Sequence, residues 1–211
     1  MNQPQFIYPK IIQRYPLLSE QMTPQRLSVI LNSLETVLRA GVVGDIVELG
    51  CYIGTTSIFL RRLMDTAGND KRQLHVYDSF QGLPAKTIQD ASVAGTAFKA
   101  GELRASTHEL RRNFRRNNLI QPVIHKAWFA DLSQRDLPEA IAFAFLDSDF
   151  YQSITVSLQL VWPKLTAYGT IVIDDYNRPG LPGVTRAVMD FFPNEVRIRQ
   201  QNNLAVITKT I

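Results

Sequence analysis

Three aspartates follow two of the most apolar stretches of the chain. Asp147 comes directly after IAFAFL at 141–146, and Asp174 and Asp175 follow TIVI at 170–173. If both stretches are buried strands of one parallel sheet, their carboxyl ends meet at one edge and the carboxylates share a cleft. Carboxylates in one cleft repel one another, and a hard divalent cation such as Mg²⁺ relieves that repulsion through oxygen ligands. The three aspartates are therefore candidate metal ligands. The alternative is that they cap helices and turns and point apart.

A segment with two glycines carries a second set of candidates. The sequence DIVELGCYIGTTS at 45–57 predicts a short strand, a loop and the start of a helix. Glycines let backbone N–H groups approach a ligand closely at a helix N-terminus, as in nucleotide-binding α/β proteins. Glu48 lies inside the apolar strand, where a charge needs a partner, and in an adenosyl cofactor site it could hold the amino group directly or through water. The loop residues counted as cofactor candidates are Gly50, Tyr52, Gly54 and Thr55.

Further candidates follow two other predicted strands. Asp78 ends LHVY at 74–77, where its two carboxylate oxygens could accept both hydroxyls of a ribose. The alternative is an ordinary residue of a strand-end turn. Trp128 and Phe129 could cover an adenine ring, with Asp131 accepting from its exocyclic amine, although aromatic residues at a strand end are more often part of the core.

The elements that must position these residues alternate along the chain. Strand patterns stand at 46–49, 74–77, 123–125, 141–146 and 169–173, and helical patterns stand between them. A helix is predicted from Thr23-Pro24 to about Gly41, ahead of the first strand. The segments 195–200 and 204–209 predict a terminal hairpin. We therefore predict a Rossmann-like α/β fold with a mostly parallel seven-stranded sheet, helices on both faces and one antiparallel hairpin strand, which is typical of class I methyltransferases.

Length and composition are those of one globular domain. The 211 residues are 45% hydrophobic and 20% charged, so we predict a single domain over 1–211. Residues 1–22 are predicted to form an irregular arm, and 85–105 a lid or insert over the site. One cysteine excludes an internal disulfide and a cysteine-based zinc site. No segment has the length of a membrane span and the polar start is not a signal peptide, so a cytoplasmic location is expected.

The charge of the chain says little about partners. The net charge of +4 fits an anionic ligand or weak nucleic-acid contact, but a surplus of solvated lysine and arginine explains it as well. A basic stripe on the helix near 106–117 has one aromatic residue, Phe114, instead of an interleaved aromatic platform, so no nucleic-acid partner is expected. We expect no membrane partner, and a homodimer is possible. The stripe consists of Arg111, Arg112, Arg115 and Arg116.

The motifs together resemble one enzyme family. In this order, VELGCYIGTTS, VYDSFQGLP, KAWFADL, FLDSDFYQS and GTIVIDDYNRPG are similar to segments of the macrocin O-methyltransferase family. The resemblance runs from about Gly44 to Phe192, and the pairing of LDSDFY with IDDY is its most specific part. These enzymes methylate sugar hydroxyls of macrolide and aminocoumarin natural products.

The resemblance implies S-adenosyl-L-methionine as methyl donor and Mg²⁺ as the required ion. It places Glu48 and the two loop glycines at the methionine end of the cofactor. It implies that Mg²⁺ holds two adjacent substrate hydroxyls and lowers the pKa of one, after which Asp147 takes that proton and the oxygen attacks the sulfonium methyl group. The ribose would contact Asp78, Ser79 and Phe80, and the adenine Trp128, Phe129 and Asp131. The metal ligands would be Asp147, Asp174 and Asp175.

Three alternatives to a sugar O-methyltransferase stay open. A catechol-type, metal-dependent O-methyltransferase would use the same ion on an aromatic diol. A non-catalytic cofactor-binding Rossmann protein would keep the fold without the reaction, although retention of all three aspartates disfavours it. Nucleic-acid methylation rests on basic charge alone. The sequence also leaves open whether Asp147 or Asp149 is the base.

Overall fold

The fold is a seven-stranded sheet covered by helices on both faces. A computed structural model describes residues 5–68, 71–93, 97–192 and 197–210. The strand order is β3-β2-β1-β4-β5-β7-β6, with all neighbours among β1–β5 parallel and β7 antiparallel to both β5 and β6. The predicted sheet and its antiparallel hairpin strand are confirmed. The strands are β1 (Asp45–Leu49), β2 (Leu74–Asp78), β3 (Val123–Lys126), β4 (Ile141–Leu146), β5 (Leu165–Ile173), β6 (Ile198–Gln201) and β7 (Leu204–Thr208).

Six α-helices are present in the described part of the chain. They are α1 (Tyr8–Arg14), α2 (Pro24–Arg39), α3 (Thr55–Thr66), α4 (Thr107–Arg116), α5 (Tyr151–Val161) and α6 (Pro182–Phe191). The side chains of α1–α4 pack on one face of the sheet, and those of α5 and α6 on the other. Successive side chains of a strand point to opposite faces of the sheet and so contribute to both cores. In β1, Ile46 faces the core on the α1–α4 side and Val47 the core on the α5–α6 side. None of the described helices has the length and apolarity that crossing a membrane requires.

The predicted irregular arm contains a helix, and this corrects the sequence analysis. Pro9 occupies the first turn of α1, where a missing N–H costs nothing. The buried carboxylate of Glu35 on α2 accepts hydrogen bonds from the N–H groups of Ile7 and Tyr8, at 2.8 and 2.9 Å. These bonds satisfy N–H groups at the start of α1 that have no partner within the helix. The helix therefore depends on a partner 28 residues away, which no local pattern reveals.

The register of the sheet brings the polar strand ends into one row. Leu49 of β1 pairs with Tyr77 of β2 and with Leu146 of β4, and Leu146 pairs with Ile173 of β5. The next residues along these strands are Gly50, Asp78, Asp147 and Asp174, so they stand side by side where the sheet ends. Open α/β sheets bind ligands at this carboxyl edge. Residues 195 and 196 of the predicted hairpin, and 94–96 of the predicted insert, lie outside the described residues.

Candidate functional site

A cavity of about 370 Å³ opens at the carboxyl edge of the sheet. Its lining brings together nine of the residues that the sequence analysis selected. Contributions come from the glycine loop after β1, the end of β2, the segment after β3 and the ends of β4 and β5. The nine are Gly50, Tyr52, Asp78, Ser79, Trp128, Phe129, Asp147, Asp174 and Asp175.

The three selected aspartates form one cluster instead of pointing apart. One carboxylate oxygen each from Asp147, Asp174 and Asp175 lies within 4.8 Å of the other two. Asp174 and Asp175 are 2% and 4% exposed, while Asp147 is partly exposed. A donor set made only of oxygen suits Mg²⁺, which takes ligands at about 2.0–2.1 Å and fills its remaining positions with water or substrate. The residues present therefore fit a divalent ion.

Two arginines neutralise part of this cluster. The Nε of Arg26, in the first turn of α2, donates to Oδ1 of Asp174 at 2.9 Å, and its Nη2 pairs with Oδ2 of the same carboxylate. The Nη1 of Arg178 donates to Oδ1 of Asp175 at 2.8 Å. Sequence reasoning selected neither arginine. Arg178 lies within the quoted motif GTIVIDDYNRPG, whereas Arg26 stands 148 residues before Asp174 with no local signal.

Buried charge shifts the acid–base behaviour of the carboxylates after β4. Burial and the neighbouring charges of Asp149 and Asp175 raise the pKa of Asp147 well above its usual range. Burial and the charge of Asp175 raise the pKa of Asp149 to about 7. Asp149 lines the same cavity and has a left-handed backbone, with φ at +60°. Both carboxylates therefore remain candidates for the base.

Gly50 allows two strand ends to approach each other. Its φ is +88°, and a Cβ built on it would lie 1.8 Å from the backbone oxygen of Asp147. The Gly50 N–H donates to the carbonyl of Tyr77 at 2.8 Å, so the first residue of the loop is held between β2 and β4. A side chain here would push the loop away from the aspartates, which explains why this position carries glycine.

The Asp78 carboxylate holds the glycine loop in place. Its Oδ2 accepts from the N–H groups of Cys51 and Tyr52, at 3.1 and 2.9 Å, and its Oδ1 accepts from the N–H of Phe80 at 2.7 Å. Burial raises the pKa of Asp78, while these hydrogen bonds act in the opposite direction. Each carboxylate oxygen has about two acceptor sites, so Oδ2 is filled by the loop and about one site, on Oδ1, remains for a ligand hydroxyl.

Five selected residues do not line the cavity. Glu48 is 1% exposed and accepts a hydrogen bond from the Ser57 hydroxyl of α3. Phe80 is 4% exposed and belongs to the core on the α1–α4 side of the sheet, and Asp131 is exposed. The roles given to these five residues stay predictions; a contact between Glu48 and a ligand would have to be indirect or follow a rearrangement. The five are Glu48, Gly54, Thr55, Phe80 and Asp131.

The segment 85–105 contributes to the cavity wall and is tied to the helices beneath it. Ala85, Thr87, Phe98 and Leu103 line the cavity. The buried carboxylate of Asp90 accepts from the N–H of Tyr151 at the start of α5, at 2.8 Å, and from Thr87. A negative group at a helix N-terminus stabilises the helix through its exposed N–H groups. That this segment acts as a lid stays a prediction.

Comparison with known proteins gives a consistent assignment. The macrocin O-methyltransferase (TylF) family model matches residues 11–207. An 8-demethyl-8-(2,3-dimethoxy-alpha-L-rhamnosyl)-tetracenomycin-C 4'-O-methyltransferase of Streptomyces olivaceus is 33% identical over 158 residues, 72% of this chain and 60% of the relative. A mycinamicin III 3''-O-methyltransferase of Micromonospora griseorubida is 31% identical over 173 residues, 78% of this chain and 68% of the relative.

A solved structure supports the same assignment. The O-methyltransferase NovP superimposes with a TM-score of 0.77 at 26% identity, and the match covers 89% of this chain and 81% of NovP. The chain spans less than two thirds of the length of the Streptomyces olivaceus relative. Because the family model covers nearly all of the sequence, the chain belongs to the macrocin O-methyltransferase (TylF) family.

Proposed function

We propose that the chain is a Mg²⁺-dependent, S-adenosylmethionine-dependent O-methyltransferase. Its acceptor would be a hydroxyl of a vicinal diol, on a sugar moiety of a small natural product. The observation that carries the proposal is the convergence of three aspartate oxygens within 4.8 Å, in the same cavity as the glycine loop. The named relatives, an O-methyltransferase of a rhamnosyl-tetracenomycin and an O-methyltransferase of mycinamicin III, support the choice of acceptor.

The cavity has the parts that an adenosyl cofactor needs. Gly50 leaves room beside the Asp147 backbone, and Asp78 presents acceptor oxygens at the end of β2. Trp128 and Phe129 line the cavity beyond β3 and offer aromatic surface to a purine ring. We assign Asp78 to the ribose and the aromatic pair to the adenine. Glu48 would act on the cofactor amino group through water, because Glu48 is not part of the lining.

The chain's own residues would bind and orient the acceptor and accept its proton. Asp174 and Asp175 would hold the metal ion together with Asp147. When bound, S-adenosylmethionine supplies an electrophilic methyl group, and Mg²⁺ supplies positive charge that favours the ionised form of a hydroxyl. Asp147 would take the hydroxyl proton at a carboxylate oxygen. Holding the reactants in line would supply much of the remaining rate enhancement.

A binding and turnover experiment tests the proposal. S-adenosylmethionine is titrated calorimetrically into the purified protein, with NADH as a control. Glycosides with vicinal hydroxyls are then incubated with the cofactor, with Mg²⁺ or with excess EDTA, and methylated products are detected by mass spectrometry. We expect selective binding of the sulfonium cofactor and product only with Mg²⁺. Cofactor binding without methylation of any acceptor would instead favour a cofactor-binding relative that does not catalyse, and no binding with or without Mg²⁺ would refute the enzyme assignment.

An aromatic diol is the second candidate acceptor. Phe98 and Phe150 line the cavity, and the Cζ of Arg178 lies 5.3 Å from the centre of the Phe98 ring. Because Arg178 also pairs with Asp175, an apolar ring stands near the aspartate cluster. A flat apolar acceptor could pack against such a ring. Catechols therefore belong in the same substrate panel, and faster methylation of catechols than of glycosides would make the catechol-type assignment the better one.

A further inference from the structure

The guanidinium of Arg26 contacts both oxygens of the Asp174 carboxylate. Nε donates to Oδ1 at 2.9 Å and Nη2 forms an ion pair with Oδ2, so the guanidinium faces both oxygens of the carboxylate. The Arg26 side chain is only 15% exposed and that of Asp174 1% exposed, so solvent screens this pair weakly. The Nη1 of Arg26 also donates to the carbonyl of Gln21, at 3.0 Å, which holds the guanidinium in position.

The carboxylate oxygens of the cluster differ in how many donors they already have. Oδ1 of Asp174 accepts from Arg26 and from the N–H of Asp175, the latter at 2.9 Å. Oδ1 of Asp175 accepts from Arg178 at 2.8 Å and from the Nη2 of Arg26 at 3.5 Å. The carboxylate of Asp147 has no hydrogen bond or ion pair to any residue among those the structure describes. Asp174 and Asp175 are thus the ligands that an incoming cation would find occupied, and Arg26 contacts both, with its shorter contacts on Asp174.

We propose that Arg26 is a displaceable counter-ion of the aspartate cluster. In the metal-free protein Arg26 neutralises Asp174, and it leaves at least one oxygen of that carboxylate when a divalent cation binds. The reason is that a guanidinium and a divalent cation repel each other and compete for the same lone pairs. This inference rests on the metal site of the proposed function. It makes Arg26 a positioning residue that sets the affinity of the cluster for the ion.

Arg178 provides the matched comparison within the same cavity. Its side chain is 42% exposed, and it reaches Asp175 from only three residues further along the chain. It contacts one oxygen of Asp175, whereas Arg26 contacts both oxygens of Asp174 and, at 3.5 Å, Oδ1 of Asp175. An exposed arginine with a single contact can turn toward water at little cost. Removal of Arg178 should therefore change cation affinity much less than removal of Arg26.

The test is a calorimetric titration of MgCl₂ into the full-length protein without cofactor or acceptor. Arg26→Met keeps much of the side-chain volume and removes the charge, and Arg178→Met is the control. We expect Arg26→Met to bind Mg²⁺ at least about tenfold more tightly than the wild type, which corresponds to about 1.4 kcal/mol. Arg178→Met should stay within about threefold of the wild type, in line with the small contribution of exposed ion pairs. Equal or weaker binding by Arg26→Met would overturn the proposal.

Thermal unfolding and a second variant control for a folding defect in Arg26→Met. Metal-free Arg26→Met should melt below the wild type, because three carboxylates lose a counter-ion, and saturating Mg²⁺ should restore more of its stability than it adds to the wild type. If Arg26→Met does not fold, Arg26→Lys serves in its place: it keeps a charge but lacks the planar fork, so Mg²⁺ affinity should lie above that of the wild type.

The wild type itself gives an independent readout. The Nε–H resonance of Arg26, assigned from its loss in Arg26→Lys, should shift on saturation with Mg²⁺ as the bond to Asp174 breaks. An unchanged resonance at saturation would refute displacement. If the wild type binds Mg²⁺ and Arg26→Met binds it no more tightly, only this inference is refuted. Failure of both proteins to bind Mg²⁺ refutes the metal part of the proposed function as well.

Discussion

Replacement of Glu48 by glutamine should make the stability of the protein less dependent on pH. Glu48 is 1% exposed, and burial, with a smaller contribution from the charge of Asp78, raises its pKa from the ordinary 4.5 to about 8. The hydrogen bond from Ser57 acts in the opposite direction without cancelling the effect. Glutamine has nearly the same shape, cannot ionise, and can still accept from the Ser57 hydroxyl.

The sign of the pH dependence follows from whether the folded chain or the unfolded chain keeps the proton on Glu48 at a given pH. Below about pH 4.5 the Glu48 carboxyl is neutral in the folded and the unfolded chain, so its contribution to stability is fully present. As pH rises toward about 8 the unfolded chain ionises while the folded chain keeps the proton, and the free energy of unfolding falls. At about 1.4 kcal/mol per pH unit, the loss accumulates to roughly 3–5 kcal/mol by the folded-state pKa.

Urea unfolding of the wild type and Glu48→Gln between about pH 5 and about pH 8 measures this loss. The variant should match the wild type at the acidic end and become the more stable protein as pH rises, by about 1.4 kcal/mol per unit. Glu20→Gln, at an exposed glutamate, controls for the loss of one negative charge. A difference between Glu48→Gln and wild type that stays constant across this range would show that Glu48 is ionised in the folded protein.

Three further predictions concern the aspartates and the loop. Asp147→Asn should keep cofactor binding while turnover falls by about 10²–10⁴, the usual contribution of a general base, and unchanged turnover would remove Asp147 from that role. Asp78→Ala should weaken cofactor binding at least about tenfold with little effect on Mg²⁺ affinity, and calorimetry showing the reverse would overturn the ribose assignment. Gly50→Ala should cost about 1–3 kcal/mol more in urea unfolding than Gly41→Ala, because both have positive φ but only Gly50 faces backbone within 4 Å. Equal costs would contradict the close approach of Gly50 and Asp147.

The sheet and the aspartate cluster could be predicted because both follow from patterns within short stretches. An unbroken apolar run such as 141–146 indicates a central strand, and whatever follows it lies at the ligand-binding edge. Parallel pairing then places Asp147 and Asp174 beside each other without any information about side chains. For Asp147 and Asp174, the position directly after a strand was enough to predict that they lie close together.

What sequence reasoning missed depends on contacts between distant segments. Arg26 looks like any arginine in a helix first turn, and its pairing with Asp174 arises only when α2 packs beside the end of β5. Helix α1 has one proline in its first turn and one on either side of it in sequence, and its start is bonded to the distant Glu35. Phe80 lies only two residues after Asp78, yet its backbone is left-handed, with φ at +56°, and its side chain lies in the core.

The charges that line the cavity favour cations, in contrast to the net charge of the chain. Its described lining carries five aspartates and two arginines, Arg26 and Arg178, so it is acidic when the carboxylates are ionised, although the chain as a whole carries +4. Acidic walls of low dielectric attract a sulfonium, an ammonium group or a divalent cation and repel phosphate. The basic total charge is therefore no argument for nucleic acid at this site, and without a bound cation the lining disfavours an anionic group of an acceptor beside the aspartates.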